Sequence, residues 1–277
     1  MGIDTGRPKR YAARLAVALA LGLVCLGFAD ALLAERRAGY SDLPFLPGGR
    51  WRVHDGARPQ PRTVDPGAPA AESRRAPSDA VVLFDGSNTE RWHRGDGQPT
   101  RWRIVDGSLV ALGGGMVSRD EFGDAQIHIE FATPDPARGT GQDRGNSGVF
   151  MMGRYEVQVL DSYRSETYPD GQAAAIYGQY PPLVNASRPP GQWQTLDIIF
   201  EAPRFADGRL ERPAYMTVFH NGVLVHHRAE VLGTGTHRAL PRYEPHGPRG
   251  PLVLQDHGDP VRYRKIWVRE LKGYDEP

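Results

Sequence analysis

After residue 79 the chain alternates hydrophobic and polar residues in short runs separated by Gly, Pro, Asn and Asp. Alternation with period 2 is the signature of strands with one face buried. The run Trp102–Val105, then Asp106-Gly107, then Ser108–Leu112 predicts a hairpin, because Asp-Gly readily adopts the positive φ angles of a tight turn. Met216–His220, Asn221-Gly222 and Val223–Val225 predict a second. Further strand-like runs are Val81–Phe84, Gln126–Ala132, Gly148–Met152, Tyr155–Leu160, Gln194–Phe200, Leu252–Leu254 and Arg264–Leu271. No capped amphipathic helix longer than two turns is visible. The pattern therefore predicts an all-β fold, an antiparallel two-sheet jelly-roll sandwich rather than alternating α/β units.

Two of these runs carry an unusual polar set. In Tyr155–Leu160 one parity holds Tyr155, Val157 and Val159, which would enter the core, leaving Glu156 and Gln158 on the concave face. The last quarter adds Gln255, Asp256, His257, Arg262 and Arg264. Arg262 and Arg264 share parity with the apolar Ile266 and Val268, so the strand needs a bulge or twist if the arginines are to face a binding groove.

The first 78 residues read differently. Arg7, Lys9, Arg10 and Arg14 precede the apolar run Leu15–Phe28, with small residues at Ala29, Ala31 and Ala34. Residues 1–34 are thus expected to be an export signal or, uncut, an N-terminal membrane anchor. Cys25, the single cysteine, lies inside that run, so an exported body would contain no thiol for disulfides or thiolate metal sites. Residues 35–78 are expected to form a linker, since Ser41 to Ser78 holds seven prolines and four glycines without apolar periodicity. Within it, Gly49–Val53 could pack as an edge. Residues 79–277 form the expected folded domain.

Composition narrows the partners. With 34 basic and 33 acidic residues, net charge +1, no long-range field favours nucleic acid or anionic lipid. HExxH, paired Cys or His arrays, EF-hand, GxSxG, Walker-type and dinucleotide motifs are absent from the sequence, so no metal ligand and no cofactor is nominated. A Ca²⁺ or other divalent site built from dispersed oxygen ligands would leave little linear trace.

Seven segments together resemble the 3-keto-disaccharide hydrolase family: Leu83–His93, Arg101–Ala111, GNSGVF (Gly145–Phe150), YEVQVLD (Tyr155–Asp161), Ala175–Phe205, VFHNGVLV (Val218–Val225) and LQDHGDPVRYRKIWVREL (Leu254–Leu271). The resemblance covers nearly all of residues 80 to 272. It implies a concanavalin A-like jelly roll, export from a bacterial cell, and hydrolysis of glycosides already oxidised at sugar C3, the oxidation falling to a separate oxidoreductase.

A C3 ketone acidifies the hydrogen on C2, so a base can form an enolate, the group on C1 leaves by elimination, and water adds back. The route needs a base, an enolate stabiliser and a proton donor. Glu156, His257 and Arg264 are the expected catalytic residues. Asn146, Ser147, Gln158, Asp161, Tyr177, Gln255, Asp256 and Arg262 are the expected sugar contacts. Two other readings fit the same residues. One is a non-catalytic carbohydrate-binding module, since the jelly roll also serves recognition. The other is a conventional glycosidase pairing Glu156 with Asp161, which demands that the strand end or bulge before Asp161.

Overall fold

The computed structural model describes Met1, residues 38–68 and residues 75–275. The expected export segment, Cys25 included, and residues 69–74 of the expected linker lie outside the described residues. Among those described, no helix is long and apolar enough to cross a membrane, and the only helical elements are 3-10 turns at Gly141–Asp143 and Pro169–Gly171.

Two antiparallel sheets form the sandwich. The larger has eight strands: Val223–Glu230, Tyr215–His220, Gln194–Glu201, Ala125–Ala132, Arg262–Glu270, Ser108–Val110 and Arg103–Val105 in spatial order, with Val81–Phe84 also paired to Arg262–Glu270. The smaller has five, in the order Trp92–His93, Met116–Phe122, Gly250–Leu254, Ser147–Met151 and Tyr155–Val159. Both predicted hairpins are present, with Asp106 and Gly107 at φ 48° and 67° and Asn221 and Gly222 at 53° and 79°.

Alternation decides what enters the core. Ile127, Ile129 and Phe131 of the larger sheet and Val149, Met151, Tyr155, Val157 and Val159 of the smaller belong to one buried cluster between the layers. Glu156 and Gln158 therefore point out of the smaller sheet, and His128 and Glu130 out of the larger. The bulge needed in the last strand exists: register shifts between Arg264 and Trp267, and Lys265 has φ 50°.

Residues 38–68 are not the separate linker expected from their composition; Ala38–Pro277 is one compact unit. Leu43, Leu46 and Val53 form their own buried cluster, and Arg62–Thr63 pairs in parallel with Val184–Asn185. Arg58 Nη1 donates to the Gln179 carbonyl at 3.0 Å and Gln60 Nε2 to the Thr167 carbonyl at 2.7 Å. Prolines suit such a strap because it follows the domain in extended conformation and makes few ladder bonds of its own.

Candidate active site

Register lays one row of outward side chains across the five-stranded sheet: His93, Val117, Val253, Phe150 and Glu156. The row continues past the last strand, where the Val157–Ile176 bridge and the Tyr177 N–H donating to the Glu156 carbonyl at 3.2 Å add a further extended segment. Tyr177 thereby stands beside Glu156 on the outer face.

Glu156 is the chemically distinctive member. It is 8% exposed, and burial pushes its carboxyl up to about 8, because a charge there has lost most of its water. The Gln158 amide lies 3.2 Å from Glu156 Oε1 and 2.8 Å from the Ser147 carbonyl oxygen, and with its nitrogen on that side it donates to both. Burial raises the Tyr177 phenol to about 12, the neighbouring Tyr168 bond opposing and the Glu156 charge adding to the rise.

His257 sits at the exposed tip of the loop that follows Gly250–Leu254. Asp256 builds that loop, its Oδ1 accepting from the Gly258 N–H at 3.0 Å and its Oδ2 from the Gly114 N–H at 2.8 Å. His237 is held below its ordinary range, by burial before nearby charges.

The remaining expected contacts divide. Ser147 points inward, donating to the Gln255 carbonyl at 2.5 Å and accepting from the Tyr263 hydroxyl at 2.6 Å, and the Gln255 N–H donates to the Gly148 carbonyl at 3.0 Å. Asn146 fixes the loop before it, its N–H on Asp259 Oδ2 at 2.9 Å and its Nδ2 on the Gln142 carbonyl at 2.7 Å. Asp161 is buried in an ion pair with Arg144 at 2.7 Å and is committed to that loop.

Arg262 and Arg264 are not brought to Glu156. The bulge turns them to the outer face of the eight-stranded sheet, across the core, where Arg264 pairs with buried Glu130 at 2.5 Å and both guanidinium groups lie over Trp193. There His128 is raised because hydrogen bonds and charge from Asp197 and Glu130 outweigh burial.

The wall beside Glu156 contains residues that sequence reasoning passed over. The Tyr168 and Tyr177 hydroxyls are 3.0 Å apart, Tyr177 Oη is 3.1 Å from His237 Nδ1, and Tyr40 Oη is 3.5 Å from His237 Nε2. Under them His54 and Asp170 pair, Nδ1 to Oδ1, at 3.1 Å. Among the described residues, no three His, Cys, Asp or Glu side chains gather as a metal ion would require.

A family model described as the 3-keto-alpha-glucoside-1,2-lyase-like domain matches residues 79–269. A 3-keto-disaccharide hydrolase of Bacteroides thetaiotaomicron is 24% identical over 251 residues, covering 72% of this chain and 82% of that protein. The crystal structure of a candidate glycosyl hydrolase from Parabacteroides distasonis is similar at 42% identity and TM-score 0.69, over 71% of this chain and 85% of that one. A second structure from the same organism, at 19% identity and TM-score 0.51, shares the fold over 70% of this chain and 94% of its own.

Proposed function

The chain belongs to the 3-keto-alpha-glucoside-1,2-lyase-like family, and from that premise we propose that it cleaves glycosidic bonds of 3-keto-glycosides or 3-keto-disaccharides by elimination followed by water addition. The observation that carries this reading is Glu156: a carboxyl pushed up to about 8 by burial, on the outer face of a strand within the matched region. A carboxylate raised by desolvation is a stronger base than an ordinary one and titrates closer to neutral pH, which suits it to taking a proton from carbon beside a ketone.

In this mechanism Glu156 accepts the C2 proton of the 3-keto sugar. The C2–H electron pair forms the enolate, re-formation of the ketone breaks the C1–O bond, and the departing oxygen leaves as the alcohol with the proton that Glu156 had taken, which restores the carboxylate. Gln158 holds the Glu156 carboxylate. Tyr177 and the exposed His257 serve as the hydrogen-bond donors that the enolate oxygen and the departing oxygen need. Water then adds to the unsaturated ketone, its proton returning to C2.

The basic and apolar N-terminus sends the protein out of the cytoplasm, secreted or anchored, and a separate oxidoreductase supplies the ketone. Incubation of the purified protein with a 3-keto-glucoside beside its unoxidised parent, with and without chelator, tests the reading by mass spectrometry. Cleavage of the oxidised sugar alone supports it; binding of either sugar without cleavage replaces it with sugar recognition.

A further inference from the structure

We propose that the first part of the strap, residues 38–56, supplies a positioning residue to the Glu156 site: His54, held by Asp170, fixes the side chain of Tyr177, whose backbone pairs with Glu156. The inference rests on Glu156 being the proton-transfer group. His54 comes from a segment with no strand of its own, yet it is fully buried.

Asp170 grips it twice, Oδ2 accepting from the His54 backbone N–H at 2.9 Å and Oδ1 facing Nδ1 at 3.1 Å. A carboxylate there calls for a proton on Nδ1 and leaves Nε2 turned away from Asp170. That Nε2 has no hydrogen-bond partner. A buried nitrogen without a partner, on a residue held at φ 51°, is an arrangement that the fold retains against its own preference.

The surroundings say what the ring is for. Its centroid lies 4.0 Å from that of Tyr168 and 5.0 Å from that of Tyr177. A β-carbon built on Gly178, which follows Tyr177 and has φ 70°, would lie 3.4 Å from His54 Cε1. The imidazole therefore packs against the backbone turn that carries Tyr177 and against the tyrosine whose hydroxyl bonds to it. Tyr40, from the same strap, closes the far side through His237. Taking away the imidazole removes the ring packed against Tyr168 and Tyr177, so that the Tyr177 hydroxyl keeps its bonds to Tyr168 and His237 on a wall that has lost its backing.

A double-mutant cycle on the full chain tests this, with a 3-keto-glucoside as substrate. His54→Ala is expected to lower kcat at least tenfold with little change in KM, and His54→Asn, which restores a donor to Asp170 Oδ1, to recover part of the loss. Tyr177→Phe is expected to lower kcat similarly, and the double variant to be no worse than Tyr177→Phe alone. Losses that multiply, or His54→Ala activity equal to wild type, overturn the proposal. Glu156→Gln is the control that separates the two readings: if it is fully active the Glu156 reading fails, and if it is inactive while His54→Ala is not, only the positioning role fails. Independently of turnover, the Tyr177 Cζ carbon resonance, assigned by its loss in Tyr177→Phe, is expected to move in His54→Asn; an unmoved resonance also overturns the proposal.

Discussion

The Glu156 carboxyl fills the space that a side chain at Gly148 would take. A β-carbon built on Gly148 would overlap Glu156 Oε1 and come within 2.8 Å of Phe150 Cε2. The two strands are directly paired, Gly148 opposite Gln158 and Phe150 opposite Glu156, so the missing side chain lets Glu156 lie down on the sheet instead of standing into solvent. Gly148→Ala is therefore expected to push Glu156 off its seat, destabilising by about 1–3 kcal/mol and lowering kcat/KM by roughly tenfold or more. Circular dichroism and steady-state kinetics on the oxidised sugar check the pair of effects; a stable variant with unchanged kinetics would show that the seat is not required.

The floor of this site was legible in the sequence and its wall was not. Strict alternation in Tyr155–Val159 put Glu156 outward, and Asp106-Gly107 and Asn221-Gly222 announced their hairpins, because these are local rules. Met116–Phe122 escaped notice since Arg119, Asp120 and Glu121 interrupt its alternation. The direction of Arg262 and Arg264 depended on a bulge at Lys265 that no residue type announces. His54 and Asp170 are 116 positions apart; proline-rich composition hid the first, and pairing at that range leaves no linear trace.

The Glu156 carboxyl has a folded value of about 8 against an ordinary 4.5. If it is the base, kcat/KM should rise about tenfold per pH unit up to about pH 8 and then level, and Glu156→Gln should abolish this limb while lowering turnover roughly a hundredfold. Stability has the opposite dependence. The native state holds this proton more tightly than the unfolded chain, so the contribution is fully present below pH 4.5 and is lost as pH rises through about 8. Glu156→Gln should gain stability over wild type at pH 8 by no more than about 5 kcal/mol, and show no such gain at pH 4. Chemical denaturation at the two pH values checks the sign.

Arg264 is expected to hold the fold and not the reaction. Its partner Glu130 is 2% exposed, with Lys265 and His128 each 3.9 Å away. Arg264→Ala leaves that carboxylate poorly matched and should destabilise by about 2–3 kcal/mol, below the usual cost of breaking a buried pair because these neighbours remain. Turnover per folded molecule should stay within about twofold. A drop in kcat with unchanged melting temperature would instead put the residue into the chemistry.

Two buried histidines predict sensitivity to acid. Burial, with the Arg188 charge adding to it, lowers His220 to about 3, and burial lowers His226 to about 4. Both folded values lie below the ordinary 6.5, so their contribution is complete above pH 6.5 and is lost as pH falls towards 4 and then 3. Each should remove about 1.4 kcal/mol of stability per pH unit in that window. The His226→Asn variant should show a shallower dependence by one proton, whatever its absolute stability. A slope identical to wild type would mean that His226 does not resist protonation in the native state.

The strap gives the last prediction, because a chain begun at residue 79 contains every strand of both sheets. Such a chain loses His54 from Asp170, Gln60 from the Thr167 carbonyl, Arg58 from the Gln179 carbonyl and the Arg188 contact to the Gly67 carbonyl. It also uncovers Tyr168, now 5% exposed, and the segment running from there to Tyr177. The eight-stranded sheet and the core between the layers remain, so the truncated chain should fold, melt several degrees lower, and exchange the amides of residues 160–180 much faster than the full chain. Activity should fall further than stability does, since the wall beside Glu156 is built on the segment set loose. Hydrogen exchange resolves the difference: protection lost evenly over both sheets would make the strap a general staple, whereas loss confined to residues 160–180 would make it part of the site.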